Sequence, residues 1–141
     1  MPDTLQDSIE LKGSCLCGDK TYRAQGQLLG FYHCHCRRCQ KASGTGHASL
    51  IILMPGQLEI FGDLDDIGWY KIPEAIRFGN RFCKGCGGPL PREAKGSQRV
   101  VIQAGTLDES IDIEPQARIF WESRSSWSCT DALPKFDEYP T

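Results

Sequence analysis

A mainly β fold of packed antiparallel sheets with little helix is what this chain predicts, and three observations predict it. Short runs rich in β-branched and aromatic residues recur along its 141 residues. Fifteen glycines and eight prolines punctuate those runs, which favours turns over long helices. Seven of the eight cysteines gather in three tight clusters whose spacing is that of metal ligands. The length fits a single domain, 1–141, with one core that buries roughly two thirds of the unfolded surface.

The elements follow in order. Strands are expected at 20–24 around Tyr22, at 48–53 around the apolar run Leu50 to Leu53, and at 58–61 around Leu58 and Ile60. Further strands are expected at 67–72, which carries Ile67, Trp69 and Tyr70, at 76–82, at 99–104 around Val100-Val101-Ile102, and at 118–121. Pro55-Gly56 reads as a turn between two of them, and Asp63-Leu64-Asp65-Asp66 as an exposed turn before the next. Helix is limited to a turn or two after Cys36 and another following Leu107, where Asp108-Glu109-Ser110 can open a short turn. No internal repeat or low-complexity linker divides the chain.

The clusters are Cys15-Leu16-Cys17, Cys34-His35-Cys36-Arg37-Arg38-Cys39 and Cys83-Lys84-Gly85-Cys86. Two cysteine pairs make four thiolates, a closed tetrahedral shell for zinc. The central triplet supplies three and leaves one coordination position for water or substrate. Disulfides are the competing use. The first residues, Met1 to Ser8, contain no basic segment and no apolar stretch that would direct the chain to an oxidising compartment, so reduced thiols in a cytoplasm are expected. A Cys-x-Cys disulfide would also close a small strained ring. A redox role for Cys83-Lys84-Gly85-Cys86 needs an alternating strand and helix pattern around it, which the neighbouring residues lack.

Charge and hydropathy exclude other classes. A formal net charge of -2 with no long basic run gives no footprint for nucleic acid, and the clusters lack the spacing of a DNA-reading finger. A hydrophobic fraction of 40% without any run of spanning length argues against a membrane protein. Nothing in the sequence fixes an oligomeric state.

Several motifs, taken in order, resemble the glutathione-dependent formaldehyde-activating enzymes, whose domain is shared with centromere protein V. They are Gly13-Ser14-Cys15-Leu16-Cys17-Gly18, the stretch from Cys34 to Gly44, Arg81-Phe82-Cys83-Lys84-Gly85-Cys86-Gly87 and Gly105-Thr106-Leu107-Asp108. Pro115, Ile119-Phe120, Ser123, Trp127, Leu133-Pro134 and Phe136 follow in the same order. The resemblance implies a β-tent-like arrangement of antiparallel sheets, with a zinc-ribbon-like structural zinc held by Cys15, Cys17, Cys83 and Cys86. It also implies a second, labile or catalytic zinc at Cys34, Cys36 and Cys39. Two positions depart from the family pattern: Arg118 stands where histidine is common, and Ser128 where another polar residue, often histidine, is usual.

The implied activity is that of a carbon-sulfur lyase, which joins a small aldehyde such as formaldehyde to glutathione as co-substrate or cleaves such an adduct. Three thiolates leave zinc a formal charge of -1 and an available position, at which an incoming thiol can be held as thiolate or an aldehyde oxygen polarised. The thiol and the aldehyde are then the only partners expected. A fourth protein ligand would close the site, and His33, His35, His47 and Cys129 are all chemically able to supply it. Arg37 and Arg38 are candidates to grip glutathione carboxylates through paired hydrogen bonds, beside Lys41. Trp127, in a polar serine-rich stretch, is the candidate pocket aromatic. The competing class is a non-catalytic zinc domain, acting as a glutathione or zinc carrier or as a protein-interaction module.

Overall fold

In the computed structural model, which describes residues 8–75, 78–94, 96–129 and 131–140, the expected mainly β architecture is present as two antiparallel sheets. Among the described residues the strands are, in chain order, β1 (Ser8–Ser14), β2 (Thr21–Cys34), β3 (Ala48–Phe61), β4 (Ile67–Lys71), β5 (Gly79–Cys83), β6 (Pro89–Leu90), β7 (Arg92–Glu93), β8 (Val100–Gln103) and β9 (Ala117–Ile119). The larger sheet runs β1-β2-β3-β8-β7, with β9 joining β2 in parallel beyond the end of β1, and the smaller runs β4-β5-β6. One α-helix, α1 (Arg37–Ser43), forms where a turn or two was expected after Cys36. Among the described residues no helix is long and apolar enough to cross a membrane.

β2 and β3 are the frame, and both are longer than their sequence patterns indicate. They pair from Thr21 against Phe61 to Cys34 against Ala48. The expected break at Pro55-Gly56 is instead an irregularity inside β3. Register shifts fall between Gly26 and Leu28 and between Leu28 and Gly30, so Pro55 faces no ladder partner and its missing amide interrupts nothing. Two sequence runs are thereby one strand.

Gly26 lies opposite Gly56 at this point, and a methyl group on it would collide with the Pro55 carbonyl and come within 2.8 Å of the Gly56 Cα. Backbone cannot swing away as a side chain can. Gly26→Ala is therefore expected to lower stability by roughly 2 kcal/mol or more, read as a drop in the urea midpoint at unchanged slope.

Other elements differ in detail. β1 carries no clear strand pattern in the sequence because its Glu10 and Lys12 dilute the run, yet Leu11 is buried and Ile9 packs on the core. The strand expected at 76–82 begins on residues 76 and 77, which lie outside the described residues, and is seen as β5. The strand expected at 118–121 ends at Ile119, and Trp121–Ser123 winds into a 3-10 turn. The helical turn expected after Leu107 does not form. Asp108 instead accepts a 2.7 Å hydrogen bond from Ser14 Oγ, and its amide donates to the Lys12 carbonyl. The aspartate latches β1 rather than opening a helix. The acidic turn at 63–66 is present as a 3-10 turn, Leu64–Asp66, capped by the Asp63 carboxylate.

Alternation along β3 and β8 divides the buried side chains between two faces. Ile51, Leu53, Val100 and Ile102 join Leu11, Tyr22, Phe31 and Leu90 in the main core, which Cys15 and Cys83 border. Leu50 and Val101 point the other way and pack with Ala48, Cys34 and Cys39. Each cysteine cluster thus rests on its own apolar face.

Candidate functional site

The first cluster is assembled by two turns that meet across the fold. Cys15 and Cys17 lie in the turn after β1, while Cys83 ends β5 and Cys86 follows in the turn to β6. Their four sulfurs lie within 4.8 Å of one another, with Cys15 and Cys17 at 3.7 Å and Cys17 and Cys83 at 3.9 Å. A tetrahedral zinc with Zn–S bonds of about 2.3 Å needs sulfurs about 3.8 Å apart, so the donor set fits that ion. Backbone amides aim at the sulfurs as well: Lys20 N–H at Cys15 and Gly88 N–H at Cys86, each at 3.4 Å. The Gly88 amide, then the Cys17 amide, bring the Cys86 thiol down to about 6.

Lys20 is the residue here that the sequence hid. It reads as the exposed start of a strand, yet its side chain is fully buried, with the ammonium 2.7 Å from Asp66 and 2.8 Å from Asp19. The two carboxylates, Asp19 first, hold it well above its ordinary range, so it stays charged beside Cys83. A buried cation here would offset the negative charge of four thiolates on one divalent ion, and it ties the β1–β2 turn to the turn before β4. Lys20→Met is expected to hasten zinc transfer from this site to a chromogenic chelator, whereas an unchanged transfer rate would leave Lys20 a packing residue only.

The second cluster stands on the end of β2 and the start of α1. Cys34, Cys36 and Cys39 also lie within 4.8 Å of one another, a three-sulfur set that suits zinc with one position left over. Cys36 has a second task as N-cap of α1, its sulfur accepting the Cys39 amide at 3.3 Å, and Gly44 closes the helix in the left-handed region at φ 74. A hydrogen bond from Cys39 draws the Cys34 thiol down to about 6, while Cys39, which keeps the shared proton, is pushed far up by Cys34 and by burial. Arg92 of β7 is the cation on this side. Burial lowers its pKa and the two thiols Cys39 and Cys34 act against that, its guanidinium lies 5.1 Å from the Phe78 ring centroid, and its Nε is buried without a hydrogen-bond partner among the described residues.

The candidate fourth ligands are elsewhere. Strand alternation turns His33 and His35 away from Cys34. His33 stacks on His47 with centroids 4.0 Å apart, and His35 faces Ser128 and Cys129. Among the described residues no Cys, His, Asp or Glu donor completes the triplet within 4.8 Å. Burial lowers the pKa of both His33 and His35, with the His47 ring contributing.

Of the expected substrate contacts, Arg37 and Arg38 line a cavity of about 340 Å³ together with Lys41, over a floor that includes Ile72 and Phe78. Phe78 also packs against the triplet's apolar face, so the cation-rimmed cavity and the three thiols are neighbours. Arg37 donates to Gln40 Oε1 at 2.6 Å. Gln40 in turn donates to the carbonyls of His35 and Ser123 at 2.8 and 3.0 Å, fixing α1 against the segment after β9. Nothing in the residue pattern marks that hub, because a single glutamine on a short helix carries no periodicity. Trp127 is not with the arginines; it is 62% exposed and lies over Gly46, in the loop between α1 and β3. A second cavity, about 590 Å³, runs from Cys15 past Ser43 and His47 to Asp108.

Comparison with known proteins follows the same lines. A crystal structure of a Rhodobacter sphaeroides protein has a similar fold, at 17% identity and a TM-score of 0.53, covering 77% of this chain and 99% of that one. No curated protein matches the chain. The family model described as glutathione-dependent formaldehyde-activating enzyme matches residues 10–123, a span that holds both cysteine clusters, and the chain belongs to that family.

Proposed function

We propose that this protein is a zinc-dependent carbon-sulfur lyase of a reducing, cytoplasmic compartment, which condenses a formaldehyde-like aldehyde with glutathione or a related thiol, or cleaves such an adduct. The observation that carries the reading is a triplet of thiols with no fourth protein donor among the described residues, whose apolar face shares Phe78 with a cavity rimmed by three cations. Four cysteines, Cys15, Cys17, Cys83 and Cys86, would hold a structural zinc, and Cys34, Cys36 and Cys39 a second one. When bound at the triplet, zinc supplies Lewis acidity that favours thiolate over thiol or polarises a carbonyl oxygen.

The chain's own residues do the rest. Arg37, Arg38 and Lys41 bind the carboxylates of the thiol, as the forked guanidinium geometry allows. Phe78 and Ile72 form an apolar wall that keeps water from one side of the adduct. Arg92 balances thiolate charge at Cys34 and Cys39. In the reaction the thiol sulfur bonds to the carbonyl carbon, the carbonyl π pair moves to oxygen, and that oxygen receives the thiol proton, so a hemithioacetal forms with every atom retained. Reversal breaks the same carbon-sulfur bond.

The test is zinc per chain by elemental analysis, before and after dialysis against millimolar glutathione, joined to an NMR assay of adduct formation from labelled formaldehyde. Two zinc ions with one lost or exchanged, an intact fold and adduct formation above the uncatalysed rate are expected. Two ions that resist glutathione, with no acceleration, would overturn the lyase in favour of a non-catalytic zinc domain. Arg37→Ala with Arg38→Ala is expected to raise KM for glutathione about tenfold while kcat changes little, because both residues contact the non-reacting end of the thiol.

A further inference from the structure

The stretch 131–140 forms neither helix nor strand, and every residue of it is exposed. Among the described residues this arm has one polar tie to the rest of the chain, at its root, where Asp131 lies 3.9 Å from Arg118. Three large apolar side chains nevertheless recur along it at every third residue: Leu133, Phe136 and Tyr139, which are 63, 55 and 80% exposed. Their own chain gives them little cover, and apolar surface grouped in this way marks a place that another molecule covers. Asp137 and Glu138 fall between the last two, so the arm is apolar and acidic together.

The same chain carries a seat of the complementary kind. The cavity of about 340 Å³ has Arg37, Arg38 and Lys41 on its rim, Tyr70, Ile72 and Phe78 among its walls, and no acidic residue in its lining. Arg37 is engaged by Gln40, whereas Arg38 and Lys41 are exposed and have no carboxylate within ion-pair distance among the described residues. Its size lies at the lower end of ligand cavities, about 300–1,000 Å³, which suits one aromatic side chain with carboxylates beside it. The arm does not fill the cavity of its own chain, since Phe136 and Tyr139 stand exposed and Tyr70 at the cavity is itself 60% exposed. A second copy of the chain is the occupant whose charge and apolar pattern match.

We propose that the arm of one chain docks in the cavity of a second copy, each chain giving its arm to the other, with Phe136 on the apolar walls and Asp137 and Glu138 against Arg38 and Lys41. Exchange of this kind is isologous: the same two patches meet twice about a two-fold axis, so association closes at a dimer. Each partner then supplies ten arm residues and eight that line its cavity, close to the roughly 20–30 a side of a stable interface. Arm and thiol also compete for the same cations, a consequence that rests on the lyase reading, whereas the dimer does not.

Sedimentation velocity of the zinc-loaded full chain over a range of concentrations is expected to show a dimer. Asp137→Lys with Glu138→Lys reverses the charge of the arm, and Arg38→Glu with Lys41→Glu reverses that of the seat. Each double variant alone is expected to raise the Kd of self-association about 100-fold. Mixed in equal amounts, the two are expected to dimerise again, because in the mixed dimer each arm meets a seat of opposite charge. A full chain that stays monomeric, a dimer that survives reversal of the arm, or folded variants that remain apart when mixed would overturn the proposal. If a double variant misfolds, Phe136→Ser at its exposed site decides, and an unchanged dimer there overturns it. Reduced glutathione is expected to dissociate the unaltered dimer. Glutathione that binds by equilibrium dialysis while the dimer persists would overturn the competition; glutathione that does not bind would overturn the lyase reading and leave the dimer to the charge-exchange result.

Discussion

Cys83→Ser is expected to leave a chain that no longer unfolds cooperatively: far-ultraviolet circular dichroism without a thermal transition, and binding of a hydrophobic dye at room temperature. Cys83 is fully buried and belongs at once to the four-sulfur cluster and to the main core. Cys17 and Cys83 stand 66 residues apart, so a metal held between them would close nearly half of the chain into one loop. Structural zinc sites contribute on the order of 10 kcal/mol of apparent folding free energy. Domains of this size are stable by only about 5–15 kcal/mol in total, so little remains when the site is lost. Serine cannot replace the thiolate as a ligand of comparable strength. If Cys83→Ser kept a cooperative transition near that of the unaltered protein, the cluster would not be the staple of this fold.

Cys39→Ser is the second large effect, and it is expected to separate stability from activity. The variant should retain one zinc ion per chain and a cooperative transition, yet lose about 100-fold or more in the rate of adduct formation. The four-sulfur cluster that ties β1 to β5 is untouched by this change. Cys39 is itself buried among Ala48, Leu50 and Val101, so the melting temperature should fall, but modestly, since serine nearly conserves its volume. Zinc content by elemental analysis, thermal unfolding and the formaldehyde assay together read the result. A variant that unfolds outright would make the triplet a second structural site and would remove the case for a lyase.

Much of this was legible in the residues because metal ligands are local. Cys15-Leu16-Cys17, the triplet and Cys83-Lys84-Gly85-Cys86 each place their sulfurs close together in sequence, and the structure gathers them into one group of four and one of three. The apolar runs Leu50 to Leu53 and Val100 to Ile102 were equally plain, since strands that bury side chains in a core must carry them. What resisted reading were residues whose meaning is set by distant partners. Lys20 looks like an exposed strand end until Asp66, 46 residues on in the turn before β4, is brought to it. Gln40 gains its role only because the backbone of His35 and Ser123 arrives on either side of its amide. Pro55-Gly56 carries a turn's composition, but pairing with β2 continues past it because Gly26 lets the two backbones approach.

The sequence by itself determined the fold class and, through the order of its motifs, the family, and residue type with short-range spacing marked the three cysteine clusters; that the first and third clusters belong together was implied only by the family resemblance. Tertiary structure alone decided that His33, His35 and His47 turn away from the triplet, that Lys20 and Arg92 serve as the buried cations of the two clusters, and that Cys129 meets Arg118 and Ser128. The physical reason is that side-chain direction and charge pairing are fixed by strand register and long-range pairing, which short-range spacing does not encode.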